Sequence, residues 1–409
     1  MGEDEGSITL LCLTASSGVP LFCRSRGTPS KHQLPFSVIG SLNGVHMFGA
    51  NLDVLLAATC TANTRVAWRV FHNSITLIVL SSEEGASDFT LGRLLDNAFS
   101  TMVLILGLEE LVNVRNIERL KKDLRACYKL IDSFLGPLEK TGDLTQCVEC
   151  VPVPHGPVLQ ECLEAFAGAA ESRFGCLLAG GRLALATDPW WQLAPQELLL
   201  LTWLVGVLPP HTTRDYPVYL PHGSPTVPHR LLTCQLLPGL EVCLLCGPSP
   251  GLPTVESELV PRFWKPLLEP LQACVRPPPP GAVLPPGVLA FLLVNGEQRS
   301  SLSSVQPPGS RGEGLSPRGR ARALRHFYAL VTTCYFPWEG SPAPLQEPFQ
   351  AGFPHRAQHC YVVSATHKAY AIHAPQHQLF LLLAPNVPTF ALRPLATRAL
   401  QRLTEDAAC

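Results

Sequence analysis

Two cysteine pairs have the spacing of metal-binding motifs. Cys147 and Cys150 form one C-x-x-C and Cys243 and Cys246 form another, so together they could supply four thiolates to a tetrahedral zinc ion. The interval between the pairs, however, is far longer than in most structural zinc sites. Cys243 and Cys246 also fall in a predicted strand, where an offset of three residues directs side chains to opposite faces. We therefore interpret all four as apolar core residues, with a zinc or thiol enzyme as the alternative.

Two histidines bracket a segment that is rich in turn-forming residues. His222 and His229 could bind a metal ion through their imidazoles, but no carboxylate accompanies them as a further ligand. We interpret the segment as a rigid loop fixed by its prolines. Neither a phosphate-binding G-x-x-x-x-G-K-[ST] nor a G-x-G-x-x-G in a strand-to-helix setting occurs. The sequence thus favours a binding protein without catalytic residues or cofactor over an enzyme.

One run of arginines could bind phosphate. It comprises Arg311, Arg318, Arg320, Arg322 and Arg325. Arginine holds phosphate oxygens bidentately, so the last four predict a contact with an inositol lipid headgroup. The alternative interpretation is a solvated helix face that follows a loop.

The composition argues for partners other than nucleic acid. The net charge is -1 and the pI is about 6.9, which gives no overall field to attract nucleic acid. Charged residues make up 15% and apolar residues 46%, so we expect apolar surface that obligate partners cover. The apolar runs are shorter than the ~20 residues that span a bilayer, and residues 1–5 are acidic where a signal peptide would be basic. We therefore expect a cytosolic protein with reduced cysteines.

The elements that would position these residues repeat three times in the order hairpin, helix, three strands, then one or two helices. The turn chemistry at the hairpins comes from Gly18, the pair Gly180 and Gly181, and Asn295 with Gly296. Apolar periodicity predicts the helices and β-branched residues the strands. The first copy has predicted strands at 8–15, 20–26, 54–61, 65–71 and 74–80 and helices from Ser37, Asp88 and Asn116. The second has strands at 174–179, 182–187, 216–220, 231–236 and 240–245 and helices at 195–208 and 256–274. The third has strands at 288–294, 299–305, 360–364, 369–373 and 379–383 and helices at 318–334 and 389–403.

The first helix of the first copy carries two glycines. Gly40 and Gly44 each cost ~1 kcal/mol relative to alanine inside a helix, which predicts that this helix approaches something closely. Its own sheet is the preferred neighbour and a partner protein is the alternative. Val38, Leu42, Val45 and Leu52 share one face of this helix.

The length and the prolines indicate three domains. A chain of 409 residues suggests two to four domains at roughly 100 to 200 residues each, and proline clusters follow the first and second copies. We predict domains at residues 1–140, 141–280 and 281–409, and a proline-rich loop at 337–354 inside the third.

The repeated element order resembles the longin domain, an α/β sandwich in which helices cover a five-stranded antiparallel sheet. Three such domains in series resemble the tri-longin family, whose members work in pairs as exchange factors for Rab-type GTPases. At the residue level, the segments 34–49, 74–82, 130–136, 214–233 and 244–250 are similar to planar cell polarity effectors of that family. The resemblance implies an α+β fold of three longin domains.

The resemblance also implies a function. It is that of a non-enzymatic subunit of the ciliogenesis and planar polarity effector complex, alongside an Inturned-like tri-longin protein and a WD-repeat protein. That complex is associated with basal bodies, recruits intraflagellar transport proteins, engages a small Rab- or Ras-type GTPase and binds phosphoinositides. We accordingly expect a location in the cytoplasm and at the cytoskeleton of the cilium basal body. The alternative is a phosphoinositide-binding adaptor in vesicle transport toward the cilium.

The helix at residues 37–52 is the candidate surface for the GTPase or the partner. Its candidate contact residues are Ser37, Gly40, Ser41, Gly44 and His46. Nucleotide exchange at such a surface would need no reactive side chain, because a protein that binds the nucleotide-free GTPase better than the loaded one shifts that equilibrium.

Overall fold

The protein forms three β-sheets in succession, each packed with helices. The computed structural model describes residues 6–27, 34–82, 86–135, 145–209, 213–275, 284–307, 315–336 and 357–407. The first two sheets have five strands and the third has six, and most neighbouring strands are antiparallel. The predicted α+β fold with a threefold repeat is therefore confirmed.

The first sheet has the strand order β2-β1-β5-β4-β3. The hairpin between β1 and β2 turns at Gly18, whose φ of +65° suits glycine. The third predicted strand is shorter than expected and begins only at Ala58. The elements are β1 Ile8–Thr14, β2 Pro20–Arg26, α1 Phe36–Asn51, β3 Ala58–Cys60, β4 Arg65–Phe71, β5 Ile75–Ser81, α2 Asp88–Leu106, α3 Leu108–Val112, α4 Ile117–Asp123 and α5 Tyr128–Phe134, with a 3-10 turn at Leu124–Cys127 between the last two.

Helix α2 packs against the first sheet. Its N-cap is Ser87, one residue before the predicted Asp88, because the side chains of Ser87 and Thr90 each accept a hydrogen bond from the other residue's backbone N–H. Leu95 and Met102 are buried on its sheet-facing side. By length and composition α2 is also the one helix among the described residues that could cross a bilayer. Its burial against β4 and β5 indicates a core helix.

The second sheet has the order β8-β7-β11-β10-β9. Gly180 and Gly181 both have positive φ at the hairpin between β7 and β8, as predicted. The elements of this part are α6 Gly156–Ala169, β7 Phe174–Ala179, β8 Arg182–Ala186, α7 Asp188–Trp191, α8 Pro195–Val207, β9 Thr213–Leu220, β10 Ser224–Leu237, β11 Leu240–Cys246, α9 Leu252–Thr254, α10 Val260–Trp264 and α11 Leu268–Val275, with a π-helical turn at Val255–Leu259 and a 3-10 turn at Lys265–Leu267.

The segment between His222 and His229 is a strand and not the predicted loop. A turn at residues 221–223 leads directly into β10, and His229 lies within that strand. Strand β10 has 14 residues whereas β11 has 7, so the first half of β10 extends past the end of β11. A strand tolerates proline at such an edge position, which is why Pro225 and Pro228 do not interrupt it.

Helix α6 was not predicted, because it begins inside the proline cluster that we assigned to a domain boundary. Pro157 occupies the first turn of the helix, where its missing N–H has no intrahelical partner to lose. Leu159, Leu163 and Phe166 of α6 are buried in the core of the second sheet. The packing of this apolar face therefore stabilises a helix directly after the prolines.

The third sheet has the order β14-β15-β16-β12-β13-β6. The Asn295 side chain accepts hydrogen bonds from the backbone N–H groups of Glu297 and Gln298 at 3.1 and 3.0 Å, and so stabilises the turn after β12. The predicted loop at 337–354 lies outside the described residues. The elements are β12 Val288–Asn295, β13 Ser300–Ser304, α12 Pro317–Cys334, β14 His359–Val363, β15 Lys368–His373, β16 His377–Leu383, a 3-10 turn Thr389–Ala391 and α13 Leu392–Ala407.

The sixth strand of the third sheet comes from the segment before α6. Strand β6, Val148–Glu149, runs parallel to β13, and the Val148 and Cys150 N–H groups donate to the carbonyls of Arg299 and Ser301 at 2.9 and 2.7 Å. On its other side the Val151 N–H donates to the Leu183 carbonyl in β8 at 3.0 Å. Residues 148–151 thus lie between an edge of the second sheet and an edge of the third.

The chain divides into two compact units. One contains Met1–Pro137, Gly206–Leu208 and Tyr216–Arg230. In this unit the ring of Tyr219 lies 2.9 Å from the position of a Cβ atom added to Gly107, which leaves room only for glycine between α2 and α3. The other unit contains Leu138–Val205, Pro209–Asp215 and Leu231–Cys409. The domain boundaries near residues 140 and 280 stay a prediction.

Candidate functional site

Helix α1 is fixed on the first sheet by one side only. Ile39 packs in a cluster with Leu11, Val66, Trp68 and neighbouring apolar residues of the sheet. The indole N–H of Trp68 donates to the backbone carbonyl of Leu42 at 3.3 Å, which ties the middle of the helix to β4. The remaining sides of α1 make no comparable set of core contacts, since only Ile39 and His46 of this helix are buried.

Most of the apolar stripe that we predicted on this helix faces solvent. Of its members, Val38 is 36% exposed, Val45 57% and Leu52 59%. Phe48 on the helix and Leu55 just beyond it, which were not part of the predicted stripe, are also exposed. Large apolar side chains grouped in this way are uncommon on a soluble monomer and mark sites of interaction. We call this group the α1 surface; it consists of Phe36, Val38, Val45, Met47, Phe48, Leu52, Val54 and Leu55.

The two glycines of α1 lie on its outer side. A Cβ atom added to Gly40 or Gly44 would meet no atom within 4 Å among the described residues. The prediction that they allow a close approach of the helix to its own sheet is therefore wrong, and the alternative, an approach by a partner, stays a prediction. Ser37 and Ser41 are exposed on the same side, and the Ser41 hydroxyl donates to the Ser37 carbonyl at 2.9 Å.

His46 lies on the buried side of α1, so it cannot be a contact residue of the outer surface. It is only 8% exposed, because it follows Ile39 at an interval of seven residues, two helical turns. Its Nδ1 atom has no hydrogen-bond partner within the part of the chain that the structure describes. The candidate contact residues Ser37, Gly40, Ser41 and Gly44 are thus brought together, and His46 is separated from them.

The predicted arginine cluster also contains one buried residue, as the candidate residues of α1 do. Arg320 is buried; its Nε donates to the Leu315 carbonyl at 3.0 Å and its Nη1 to the Leu289 carbonyl at 3.1 Å. Arg320 therefore holds α12 to β12 and is not available for a lipid headgroup. Arg318, Arg322 and Arg325 follow one another at intervals of four and three residues, which places them on one face of α12. Arg311 lies outside the described residues.

The two cysteine pairs lie in different parts of the fold. Cys147, Cys243 and Cys246 are buried and Cys150 is half-buried. Cys243 stands opposite Cys176 in the ladder of β11 and β7, while Cys246 packs in the core on the other face of the second sheet. Burial raises the pKa of Cys150 to about 12, and a thiol with such a pKa stays neutral and unreactive. Among the described residues, no group of three or more His, Cys, Asp or Glu side chains could hold a metal ion.

Several residues of the α1 surface were missed in the sequence. Phe36, Met47, Phe48, Val54 and Leu55 belong to it, although periodicity did not single them out. The only signal for them was the excess of apolar over charged residues in the whole chain. Within a single helix, the same excess shows as an aromatic residue, such as Phe48, among the polar residues of the helical pattern.

Family models match all three parts of the chain. Models described as the first, second and third longin domains of FUZ, MON1 and HPS1 match residues 8–134, 170–265 and 287–407. These matches agree with the three sheets and their helices. The chain therefore belongs to the tri-longin family of FUZ, MON1 and HPS1.

Two relatives show which members of this family the chain resembles over nearly its whole length. The chain is 56% identical over 416 residues to "Protein fuzzy homolog" of Xenopus tropicalis, covering 98% of this chain and 99% of the relative. It is 55% identical over 420 residues to "Protein fuzzy homolog" of Homo sapiens, covering 99% of each. The resemblance of the whole chain to one branch of the tri-longin family is thereby confirmed as a similarity to fuzzy homologs.

Proposed function

We propose that this chain is a non-enzymatic subunit of a tri-longin complex that acts in planar cell polarity and cilium assembly. The similarity to fuzzy homologs over nearly the whole chain supports this assignment. The observation that carries the proposal is the α1 surface, because a cluster of exposed apolar side chains on a helix calls for a protein that covers it.

In this proposal, the α1 surface contacts a small Rab- or Ras-type GTPase together with an Inturned-like tri-longin partner. Val45 and Phe48 supply apolar area that binding removes from water, at about 25 cal/mol for each Å². Gly40 and Gly44 leave the helix backbone accessible beside them, so that a partner backbone or aromatic ring can approach closely.

Exchange of nucleotide would follow from binding alone. A complex that binds the nucleotide-free GTPase more tightly than the loaded form lowers the affinity of the GTPase for its nucleotide by the same factor. This chain's own contribution is a rigid apolar helix face, held by Ile39 and by the hydrogen bond from Trp68 to Leu42. No acid, base or nucleophile takes part.

A nucleotide-release assay tests this function. Purified Rab- and Ras-type GTPases loaded with fluorescent GDP are mixed with the tri-longin partner alone, with the pair, or with a pair that carries Val45→Glu and Phe48→Glu. We expect faster release with the wild-type pair only. Equal release rates with and without this chain would reject the exchange activity. A separate binding measurement with the same variants would still show whether the GTPase binds to the α1 surface.

Binding to phosphoinositide membranes is a second candidate function. The common helix face of Arg318, Arg322 and Arg325 supports it, since several guanidinium groups on one face can hold one or more phosphates. Flotation of the intact complex with liposomes that contain an inositol bisphosphate lipid should fall when these three residues become alanine. The control is Arg398→Ala with Arg402→Ala, two exposed arginines of α13, and Arg320 is kept because it is structural. Undiminished flotation of the triple variant would exclude this helix face as the lipid-binding site.

The proposal extends to the setting of the complex. It includes a WD-repeat planar polarity effector as a further subunit, recruitment of intraflagellar transport proteins, and a location in the cytoplasm and at the basal body. The longin domains are proposed at residues 1–140, 141–280 and 281–409. Immunoprecipitation of this chain from ciliated cells, followed by mass spectrometry, checks these subunits. We expect them in the precipitate of this chain and not in a control precipitate. Their absence from the first, or equal amounts in both, would contradict the proposal.

A further inference from the structure

Among the described strands, five of the six sheet edges are protected against pairing with another strand. Strand β3 is only three residues long and β6 only two. Strand β8 is bridged by Cys150, and β9 contains Arg214, Asp215 and Pro217. The remaining protected edge is β2, whose Arg24 and Arg26 both bond to Asp132 of α5. Short length, charge, proline and covering elements are the usual means by which proteins block a sheet edge.

Within the part of the chain that the structure describes, the sixth edge, β14, has none of these features. Its residues are His359, Cys360, Tyr361, Val362 and Val363, without proline and without Asp, Glu, Lys or Arg. Tyr361 is 57% exposed, Val362 40% and Val363 52%. Among the strands that the structure describes, only β15 pairs with it.

The outward hydrogen-bonding groups of β14 can be assigned from its register. The His373 N–H donates to the Gln358 carbonyl at 2.8 Å and the Ser364 N–H to the His367 carbonyl at 2.9 Å. Hydrogen-bonded pairs alternate along an antiparallel ladder, so the even-numbered residues of β14 bond to β15. The N–H and C=O groups of His359, Tyr361 and Val363 therefore point away from the sheet, where a further strand would lie.

The side chains beside this edge are apolar on both faces. Tyr361 stacks on Tyr370 of β15 with ring centroids 6.4 Å apart, and Val363 lies on the same face, two residues further along. Val362 lies on the opposite face. An added strand would thus meet uncharged side chains above and below its backbone.

A positive charge lies at one end of the edge. Burial lowers the pKa of His359, and the charge of Arg393, an exposed residue of α13, lowers it further. Burial raises the pKa of Tyr370, and the charge of Arg393 acts against that rise. The field of Arg393 therefore reaches the His359 end of β14, where it would favour an anionic side chain on a bound segment.

We propose that β14 is a strand-addition site of the third sheet, and that its occupant is an extended segment of another protein. The segment has uncharged side chains along β14 and an acidic residue at the end that reaches Arg393. Backbone hydrogen bonds to His359, Tyr361 and Val363 provide the affinity, and the flanking side chains provide the selection, as in other cases of β-augmentation. This site is separate in the chain from the α1 surface and does not depend on its function.

Synthetic peptides test the site on the full-length chain. The probe is acetyl-Glu-Val-Thr-Val-Thr-Val-Glu-amide, with two controls: the same peptide with lysine at both ends, and the same peptide with alternate backbone nitrogens methylated. At millimolar concentration, the glutamate peptide should slow hydrogen exchange of the His359, Tyr361 and Val363 amides by about tenfold. The lysine peptide should bind about twofold to fivefold more weakly, and the methylated peptide should have no effect.

Two variants sharpen the result. Arg393→Glu should reverse the preference between the glutamate and lysine peptides. Tyr361→Pro should abolish binding, because it removes an outward N–H while leaving the hydrogen bonds to β15; the methylated peptide makes the same point with the wild-type chain if this variant does not fold. Unchanged exchange of the three amides with the glutamate peptide would overturn the proposal. If, without peptide, exchange of these amides slows as the protein concentration rises, a second copy of this chain occupies the edge. That result would overturn the proposed occupant.

Discussion

Arg320 and Arg318 stand two residues apart on α12 and occupy different environments. The guanidinium of Arg320 is buried between the helix and the sheet, where it donates to the carbonyls of Leu315 and Leu289. Arg318 is exposed on the face that it shares with Arg322 and Arg325. A buried carbonyl that loses its donor keeps the full cost of its desolvation. One arginine therefore contributes to stability and the other three to the surface charge.

Replacement of Arg320 is expected to destabilise the protein. Arg320→Ala should lower the free energy of unfolding by roughly 2–4 kcal/mol, because the buried carbonyl of Leu289 and the partly buried carbonyl of Leu315 lose a charged donor. Urea unfolding measures the change. Arg318→Ala is the matched control and should shift the free energy by less than about 0.5 kcal/mol. Equal effects of the two substitutions would show that the buried hydrogen bonds do not stabilise the helix.

The third sheet should lose stability below neutral pH. Burial lowers the pKa of His367 and of His377, although Glu297 acts in the opposite direction on His377. The unfolded chain takes up these protons near pH ~6.5, and the folded chain takes them up only at lower pH. Stability is therefore complete above that pH and falls as the pH decreases through it.

Urea midpoints at pH 7.5 and pH 5.5, values chosen on either side of the ~6.5 of an ordinary imidazole, measure this effect. The wild type should lose more stability between them than a variant with His367→Asn and His377→Asn. The same loss in both proteins would mean that other groups cause it.

At the residue scale, the sequence indicated which side chains could bind a ligand, but it did not show which of them are buried. We predicted that Arg318, Arg320, Arg322 and Arg325 act together, although an offset of two residues already places Arg320 on the opposite side of a helix from Arg318. The burial of His46 was not predictable, because it depends on which side of α1 rests on Trp68 and its neighbours. The exposure of Val45 was missed for the same reason.

The joint between α2 and α3 is the element that most depends on a single glycine. Gly107 has a φ of +82° and a ψ of 156°, a conformation that side chains with a Cβ atom rarely adopt. The ring of Tyr219 also occupies the space of a side chain at this position. The sharp turn lets α3 begin directly after α2 ends.

Substitutions at two glycines of this part should have opposite effects. Gly107→Ala should cost about 2–3 kcal/mol through backbone strain and contact with Tyr219. Gly92→Ala, inside α2 and with no atom near its added Cβ, should instead stabilise the protein by about 0.5–1 kcal/mol. Thermal or urea unfolding of the two variants distinguishes them. A neutral Gly107→Ala would show that the joint adapts without strain.

Strand β6 fills one edge of the third sheet with very few residues. Cys150→Pro should remove the hydrogen bond to the Ser301 carbonyl and cost about 1–3 kcal/mol. It should also speed hydrogen exchange of the amides at residues 148–151. Cys150→Ala keeps the backbone N–H and is the control. No change in exchange with the proline variant would mean that this pairing does not form in solution.

At the element scale, local signals predicted most strands and most of the longer helices. The glycine pair at residues 180 and 181 and the β-branched runs beside it needed no distant partner to be recognised. Strand β6 was missed because its two residues pair with β13, which is far away in the sequence. Helix α6 was missed because a proline cluster also precedes helices, and only the buried face of Leu163 and Phe166 distinguishes the two cases.

At the scale of the whole molecule, three similar domains present different surfaces. The first exposes the α1 surface, and the third exposes the edge of β14 and an arginine face. The composition correctly indicated surplus apolar surface, but it could not locate it, since location follows from how each helix rests on its sheet. In the proposed function, the repeated architecture would offer separate sites to separate partners, as a subunit that assembles a complex requires.

The most direct test measures binding at the α1 surface. Val45→Glu with Phe48→Glu should weaken binding to the tri-longin partner and GTPase by about 100-fold or more, because two charges replace apolar contacts. Both side chains are exposed, so the urea midpoint should stay unchanged. The control is Val158→Glu with Leu330→Glu, two exposed apolar residues elsewhere, and should bind as the wild type does. Wild-type affinity of the Val45 and Phe48 variant would contradict the assignment of this surface.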